Sequence, residues 1–148
     1  NVRHNFPYCF TEKPYPGVPS FNLHVIEKHK CFRIGDIQVM PIEVMHDKLP
    51  IIGYRFGSMA YITDMKTIDD GELGYLDGVE TLIVNALRWE KPHHSHMLVE
   101  EAVAFSRRVG AKKTYLIHVT HQIGLYDEAN SRLPEGFCIP YDGMQITF

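Results

Sequence analysis

Four residues carry most of the chemistry this sequence can offer: His46, Asp64, His96 and His118. Each falls where an apolar run stops or where a loop meets a helix-like segment. Imidazole nitrogens and a carboxylate are donors suited to Zn²⁺, and also to Mn²⁺ or Fe. A carboxylate set between two histidine-bearing positions can bridge two metal ions about 3.5–4 Å apart, an arrangement that activates water for phosphoester cleavage. No two of the four are close enough in sequence to make a local zinc motif, so only the fold could bring them together. The plain alternative for each histidine is a hydrogen-bonded residue at a strand end.

The elements that must position them can be read from apolar periodicity. Leu98, Ala102 and Phe105 recur four and three apart, with Val99 and Val109 flanking, which predicts a helix over Leu98 to Val109, closed by Gly110. Lys112 and Lys113 follow, then the short apolar run Tyr115-Leu116-Ile117, which leads into His118-Val119-Thr120-His121. This predicts a buried strand whose carboxyl end presents His118, a usual place for ligands and catalytic groups. Val79 to Ala86 predicts another buried strand, and the cluster His93, His94 and His96 lies in the loop after it. Upstream, Cys31 to Ile34 and Ile37 to Met40 about Gly35-Asp36 predict a hairpin. The second strand continues to His46, with Pro41 marking a bulge or an edge. Ile51 to Phe56 and Met59 to Asp64 about Gly57-Ser58 predict a further pair ending in Asp64.

Less regular stretches frame these. The prolines of residues 7–20 predict an irregular connection, and Phe21 to Ile26 alternates as a strand with one wet face. Short helices are expected over Asp69 to Leu76 and Asp127 to Leu133, and a closing hairpin about Asp142-Gly143. His24 and His29 read as exposed strand and turn residues, and His93 and His94 as exposed loop residues. Hairpins followed by strands alternating with helices indicate an α/β class with packed sheets and outer helices.

Composition narrows the function. At 148 residues the chain is one domain, and 45% hydrophobic with 22% charged residues is a globular balance. A net charge of −3 without a basic run gives no broad footprint for a nucleic-acid backbone. No apolar run approaches the ~20 residues a bilayer span needs. Cys9, Cys31 and Cys138 are odd in number and widely spaced, which argues against a disulfide framework and for a cytoplasmic location.

Met45-His46-Asp47-Lys48-Leu49-Pro50-Ile51-Ile52-Gly53-Tyr54-Arg55-Phe56 resembles the stretch of metallo-β-lactamase-fold hydrolases in which a ligand histidine precedes a "GYRF"-type strand. Ala60 to Asp64 resembles the next strand of that family, which ends in a bridging aspartate. His96 to Ala102 is similar to the segment that places a catalytic histidine before a helix, and Tyr115 to His121 to the last ligand motif. Leu133 to Gly136 with Tyr141 to Met144 is most similar to the cyclic phosphodiesterase branch of bacterial phosphonate breakdown.

The resemblance implies an αββα sandwich, with residues 1–148 one partial metallo-hydrolase domain. It implies two Zn or Mn ions in the intact protein, with His46 and His118 as ligands, Asp64 bridging and His96 a general acid. His121 is left to an outer or structural role. The implied reaction is hydrolysis of small or cyclic phosphodiesters by metal-bound hydroxide. The family's His-x-His-x-Asp-His motif does not occur here. It is expected upstream of Asn1, in a segment or second copy with which this chain assembles, and the chain alone is expected to be inactive. Two alternatives stay open: a metal-poor, non-catalytic remnant that needs a partner segment, and an RNA-processing nuclease of the same fold.

Overall fold

In the computed structural model, which describes residues 1–148, the chain lays down its sheet strand by strand. β1 (Phe32–Ile34) and β2 (Ile37–His46) pair antiparallel through a turn at Gly35, whose φ of +57° is open to glycine and costly for other residues. β2 pairs with β3 (Leu49–Phe56) over a long register, from Met40 opposite Arg55 to His46 opposite Leu49. β4 (Met59–Ile62) is antiparallel to β3. From there the sense changes: β5 (Thr81–Asn85), β6 (Lys113–Ile117) and β7 (Phe137–Cys138) each add parallel to the strand before. The result is one seven-stranded sheet in the order β1 to β7, so every strand neighbours its predecessor in sequence.

This order fixes the site. Two antiparallel steps make β2 run the same way as β4, and β5 and β6 follow β4 in parallel. The carboxyl ends of β2, β4, β5 and β6 therefore share one rim, where ligands of such sheets gather.

Short α1 (Val2–Asn5) and α2 (Asp70–Leu73) precede the crossover helix α3 (Val99–Val109), and α4 (Tyr126–Ser131) follows β6. α3 carries Glu100 and Glu101 in its first turn and Arg107 and Arg108 in its last, which suits the helix dipole. Gly110 closes it in the left-handed region, its N–H reaching Ser106. Val99, Ala102 and Phe105 of α3 share one buried apolar cluster with Ile42, Val44, Ala60, Ile62, Leu82, Val84 and Leu116 of the sheet. Within that layer the Ser106 and Thr114 hydroxyls pair at 2.6 Å, so the buried polar atoms are satisfied. The opposite face carries the cross-strand row Tyr54, Tyr61, Ile83 and Tyr115, half-buried to exposed. No helix is long and apolar enough to cross a membrane.

The α/β class holds, with one sheet of the expected sandwich within these residues. Pro41 does lie at an edge. Its carbonyl accepts from His29 N–H, so its missing donor points to the side where β1 has already ended. Two expected strand pairings are not formed. Phe21 to Ile26 has alternation but no ladder partner, and its apolar side chains stay exposed, Val25 at 91%. At the carboxyl end the Tyr141–Met144 turn forms, but no hairpin does, because Phe137 and Cys138 pair with β6 instead. The proline-rich start also holds more order than expected: Pro7 opens a 3₁₀ turn through Phe10, a position where a missing N–H costs nothing.

Candidate metal centre

His46 is the last residue of β2, Asp64 lies two residues beyond β4, and His118 directly follows β6. His96 comes from the loop between β5 and α3. All four meet at the shared rim. Donor atoms of His46, Asp64 and His96 lie within 4.8 Å of one another. His96 Nε2 is 3.2 Å from Asp64 Oδ1, and His118 Nε2 is 3.5 Å from the same oxygen. The rings of His96 and His118 stack at 4.7 Å and 8°, while His46 meets His96 edge-on at 4.8 Å and 89°.

The backbone is bent to achieve this. Asp64 and His118 have φ of 58° and 57°, and Asp47, next to His46, has 55°. These are three of the five non-glycine residues in the left-handed region, a conformation that costs free energy and persists where the surroundings enforce it.

Main-chain and amide contacts lock the segments. Met45 exchanges backbone hydrogen bonds with Lys66 and Thr67, which holds the end of β2 against the chain leaving Asp64. Fully buried Asn85 accepts from Met65 N–H at 2.8 Å and donates to Met65 O at 2.9 Å. Leu98 N–H and Lys66 Nζ both donate to Glu101, joining the start of α3 to the same chain. Leu87 N–H reaches Met97 O, and Thr120 donates to Leu87 O through both its N–H and its hydroxyl. His96 and His118 are thereby tied to one strand exit.

Electrostatics follow from this crowding. Burial holds His96 below the usual imidazole range; the Asp64 hydrogen bond opposes this, and His118 and His46 reinforce it. Burial alone would raise Asp64, but the hydrogen bond with His96, the charge of His118 and a bond with Thr63 together hold it below the usual carboxylate range. A neutral His96 beside an ionised Asp64 is the protonation state that binding of a divalent ion favours. A zinc-like ion about 2 Å from each donor needs donors no more than ~4 Å apart, so small side-chain rotations would suffice. Three protein donors with an open position are the usual set for a metal that activates water. The residues therefore fit a divalent metal. An open pocket of about 400 Å³, bounded by His46, Asp47, Lys48, Leu49, His94 and Ser95, adjoins them.

All four residues singled out from the sequence are brought together. His121 opens the 3₁₀ turn His121–Ile123 and is exposed. His93 differs from expectation: it is half-buried, with Nδ1 3.2 Å from His96 Nδ1 and 3.2 Å from Ser95 Oγ. His29 is likewise not a free turn residue, since it bonds Glu72 at 2.7 Å and stacks on Tyr75. Sequence reading passed over Asn85 and Ser95. Asn85 had a signal, an amide ending an otherwise apolar strand; Ser95, in a polar loop, had none.

The model of the beta-lactamase superfamily domain matches residues 1–119. An octanoyltransferase from Porphyromonas gingivalis (strain ATCC BAA-308 / W83) is 36% identical over 145 residues, covering 98% of this chain but 30% of that protein. The crystal structure of a diphosphatase from the PhnP family superposes with a TM-score of 0.85 at 31% identity, covering 99% of this chain and 54% of the other. The metallo-beta-lactamase fold protein YhfI from Bacillus subtilis superposes with a TM-score of 0.67 at 16% identity, over 95% of this chain and 59% of that one. The chain thus spans about a third of the curated relative and little more than half of the solved ones.

Proposed function

Because this chain belongs to the beta-lactamase superfamily, we propose that it is the part of a cytoplasmic, metal-dependent hydrolase that carries His46, Asp64, His96 and His118. The observation behind the reading is the convergence of three imidazoles on one carboxylate at a strand-end rim. In this proposal His46 and His118 hold metal, Asp64 lies between them, and His96 donates a proton or hydrogen bond to a phosphoryl oxygen. The metal, Zn or Mn and two ions in the intact protein, would supply a water that ionises near neutral pH.

The substrate proposed is a small or cyclic phosphodiester. The diphosphatase relative supports phosphorus chemistry, and the absence of a basic run favours a small substrate over a long nucleic acid. Octanoyl transfer has less support, since the match covers 30% of that protein. The remaining ligands are proposed to come from a partner segment or a second copy, as three protein ligands shared between two ions close neither site.

The test is turnover of bis(p-nitrophenyl)phosphate by the full-length protein loaded with Zn²⁺ or Mn²⁺, alongside elemental analysis. About two metals per chain with turnover supports the enzyme; metal without turnover counts against phosphodiester hydrolysis. No bound metal would favour the metal-free remnant.

A further inference from the structure

On the chain that leads from β5 into the histidine loop lies a second pocket that the proposed reaction leaves unused. It has about 290 Å³ and is bounded by Arg88, Trp89, Glu90, Lys91, Gln122 and Arg132. At roughly 30 Å³ per water, that is room for about ten waters. Three cations face one acid. Some cations of the molecule are neutralised by an acid, as Lys28 by Glu43, Lys66 by Glu101, Arg108 by Asp70 and Lys112 by Glu80, and others such as Arg33 and Lys113 are not; what sets this pocket apart is that three unpaired cations line one cavity. Arg88, Lys91 and Arg132 stand in no such ion pair.

The two guanidinium groups are held in place without being used up. Arg132 stacks over the Trp89 ring at 3.9 Å, which fixes its plane and leaves its edge N–H groups free. Trp89 is itself fixed, since its indole N–H donates to Ile123 O at 2.8 Å. Arg88 spends Nε on Lys91 O and Nη1 on Gln122 Oε1, keeping Nη2 in reserve. Lys91 is held at φ 63°. Planar forks fixed in this way suit the oxygens of a phosphoryl group better than free lysines do.

Position gives the pocket its purpose. Arg88 follows Leu87, whose N–H and carbonyl are bound to Met97 and Thr120, the neighbours of His96 and a residue just past His118. Lys91 precedes the histidine loop, and Gln122 lies four residues beyond His118.

We propose that this pocket is an anion subsite that takes the second, non-reacting phosphoryl group of a substrate carrying two, while the first lies at the histidine rim. The inference rests on the hydrolytic reading of that rim.

The experiment uses full-length, metal-loaded protein, with inorganic pyrophosphate and inorganic phosphate as ligands in calorimetry and bis(p-nitrophenyl)phosphate as a substrate lacking a second anionic group. Arg132→Gln and Arg88→Gln should each weaken pyrophosphate binding ~10-fold or more, the loss of a charge-assisted hydrogen bond. Metal content and bis(p-nitrophenyl)phosphate turnover should stay unchanged, and inorganic phosphate, which cannot span both sites, should bind more weakly than pyrophosphate to the unaltered protein. Exposed Lys91→Gln gives the same reading should an arginine variant fail to fold. Pyrophosphate affinity unchanged in all three variants overturns the subsite, whether or not the enzyme turns over. Arginine-dependent pyrophosphate binding in a protein without turnover keeps the anion site and sinks the hydrolase reading instead.

Discussion

The His96 and His118 rings lie nearly parallel, 4.7 Å apart, and both point an Nε2 at the same oxygen of Asp64. Burial and the neighbouring His118 hold His96 below the usual imidazole range, while the shared aspartate oxygen pulls the other way. The proposed roles of the two rings nevertheless differ. Replacing His118 by Ala should remove a metal donor, and replacing His96 by Ala should leave metal bound.

That difference sets the first measurement. After equilibration with Zn²⁺ and dialysis, His118→Ala and Asp64→Ala should retain less than half the wild-type metal by elemental analysis. His96→Ala should retain nearly all of it while turnover falls ~10²–10⁴-fold, the range for a general acid. Loss of metal in His96→Ala would reassign His96 as a ligand, which its position within 4.8 Å of His46 and Asp64 permits.

Acid should destabilise the metal-free protein in a defined window. The ordinary value for His96 is 6.5 and its folded value is lower, mainly through burial. Below pH 6.5 the unfolded chain takes up a proton that folded His96 declines, so stability present above that pH is lost as pH falls through the folded value. Asp64, ordinarily 3.8 and lowered in the fold, contributes with the same sign: stability present above 3.8 is lost as pH falls through its lower folded value. Thermal melts of the metal-free protein should show a falling midpoint on acidification below 6.5, and His96→Gln should flatten the histidine part of that slope. Identical slopes in both proteins would remove His96 as the cause.

Much of this arrangement was legible in the sequence, because strand ends and helix starts are local signals. His46, Asp64 and His118 follow from apolar runs that stop, His96 from a loop that meets a helix start, and Gly110 from a helix that needs a left-handed closure. The failures came where pairing is long-range. Phe21 to Ile26 alternates as a strand does, yet alternation does not supply a neighbour, and Phe137 pairs with β6 rather than with the segment at Met144. The polar fastenings were equally silent. Ser95 between His93 and His96, or Glu101 between Leu98 and Lys66, depend on loop paths that residue spacing does not encode.

Sheet packing under the site allows a steric test. Gly53 of β3 lies so close to β4 that an added Cβ would stand 2.9 Å from Ile62 Cγ1. Ile62 is fully buried, so it has little room to retreat. Gly53→Ala should lower stability by about 1–3 kcal/mol, the usual cost of overpacking. Denaturant unfolding checks it: a midpoint equal to wild type would mean that the β3–β4 spacing is looser than described.

Asn85 offers the sharpest separation of site from scaffold. Its amide fills both backbone valences of Met65, the residue after Asp64, and it touches none of the histidines through a hydrogen bond. Asn85→Leu keeps the approximate volume but leaves a buried N–H and carbonyl unpaired, which should cost ~1–3 kcal/mol of stability. Because Met65 anchors the left-handed turn at Asp64, the aspartate should also lose its aim, weakening metal binding ~10–100-fold, as loss of outer-shell support commonly does. Metal affinity by competition with a chelating dye, read beside denaturant unfolding, distinguishes the two effects. Leu82→Ala serves as the comparison, since it opens a cavity in the same sheet at about 2–5 kcal/mol without touching the Asp64 turn. If Asn85→Leu and Leu82→Ala weaken metal in proportion to their stability losses, Asn85 is ordinary scaffold; if only Asn85→Leu does, the amide is what positions Asp64.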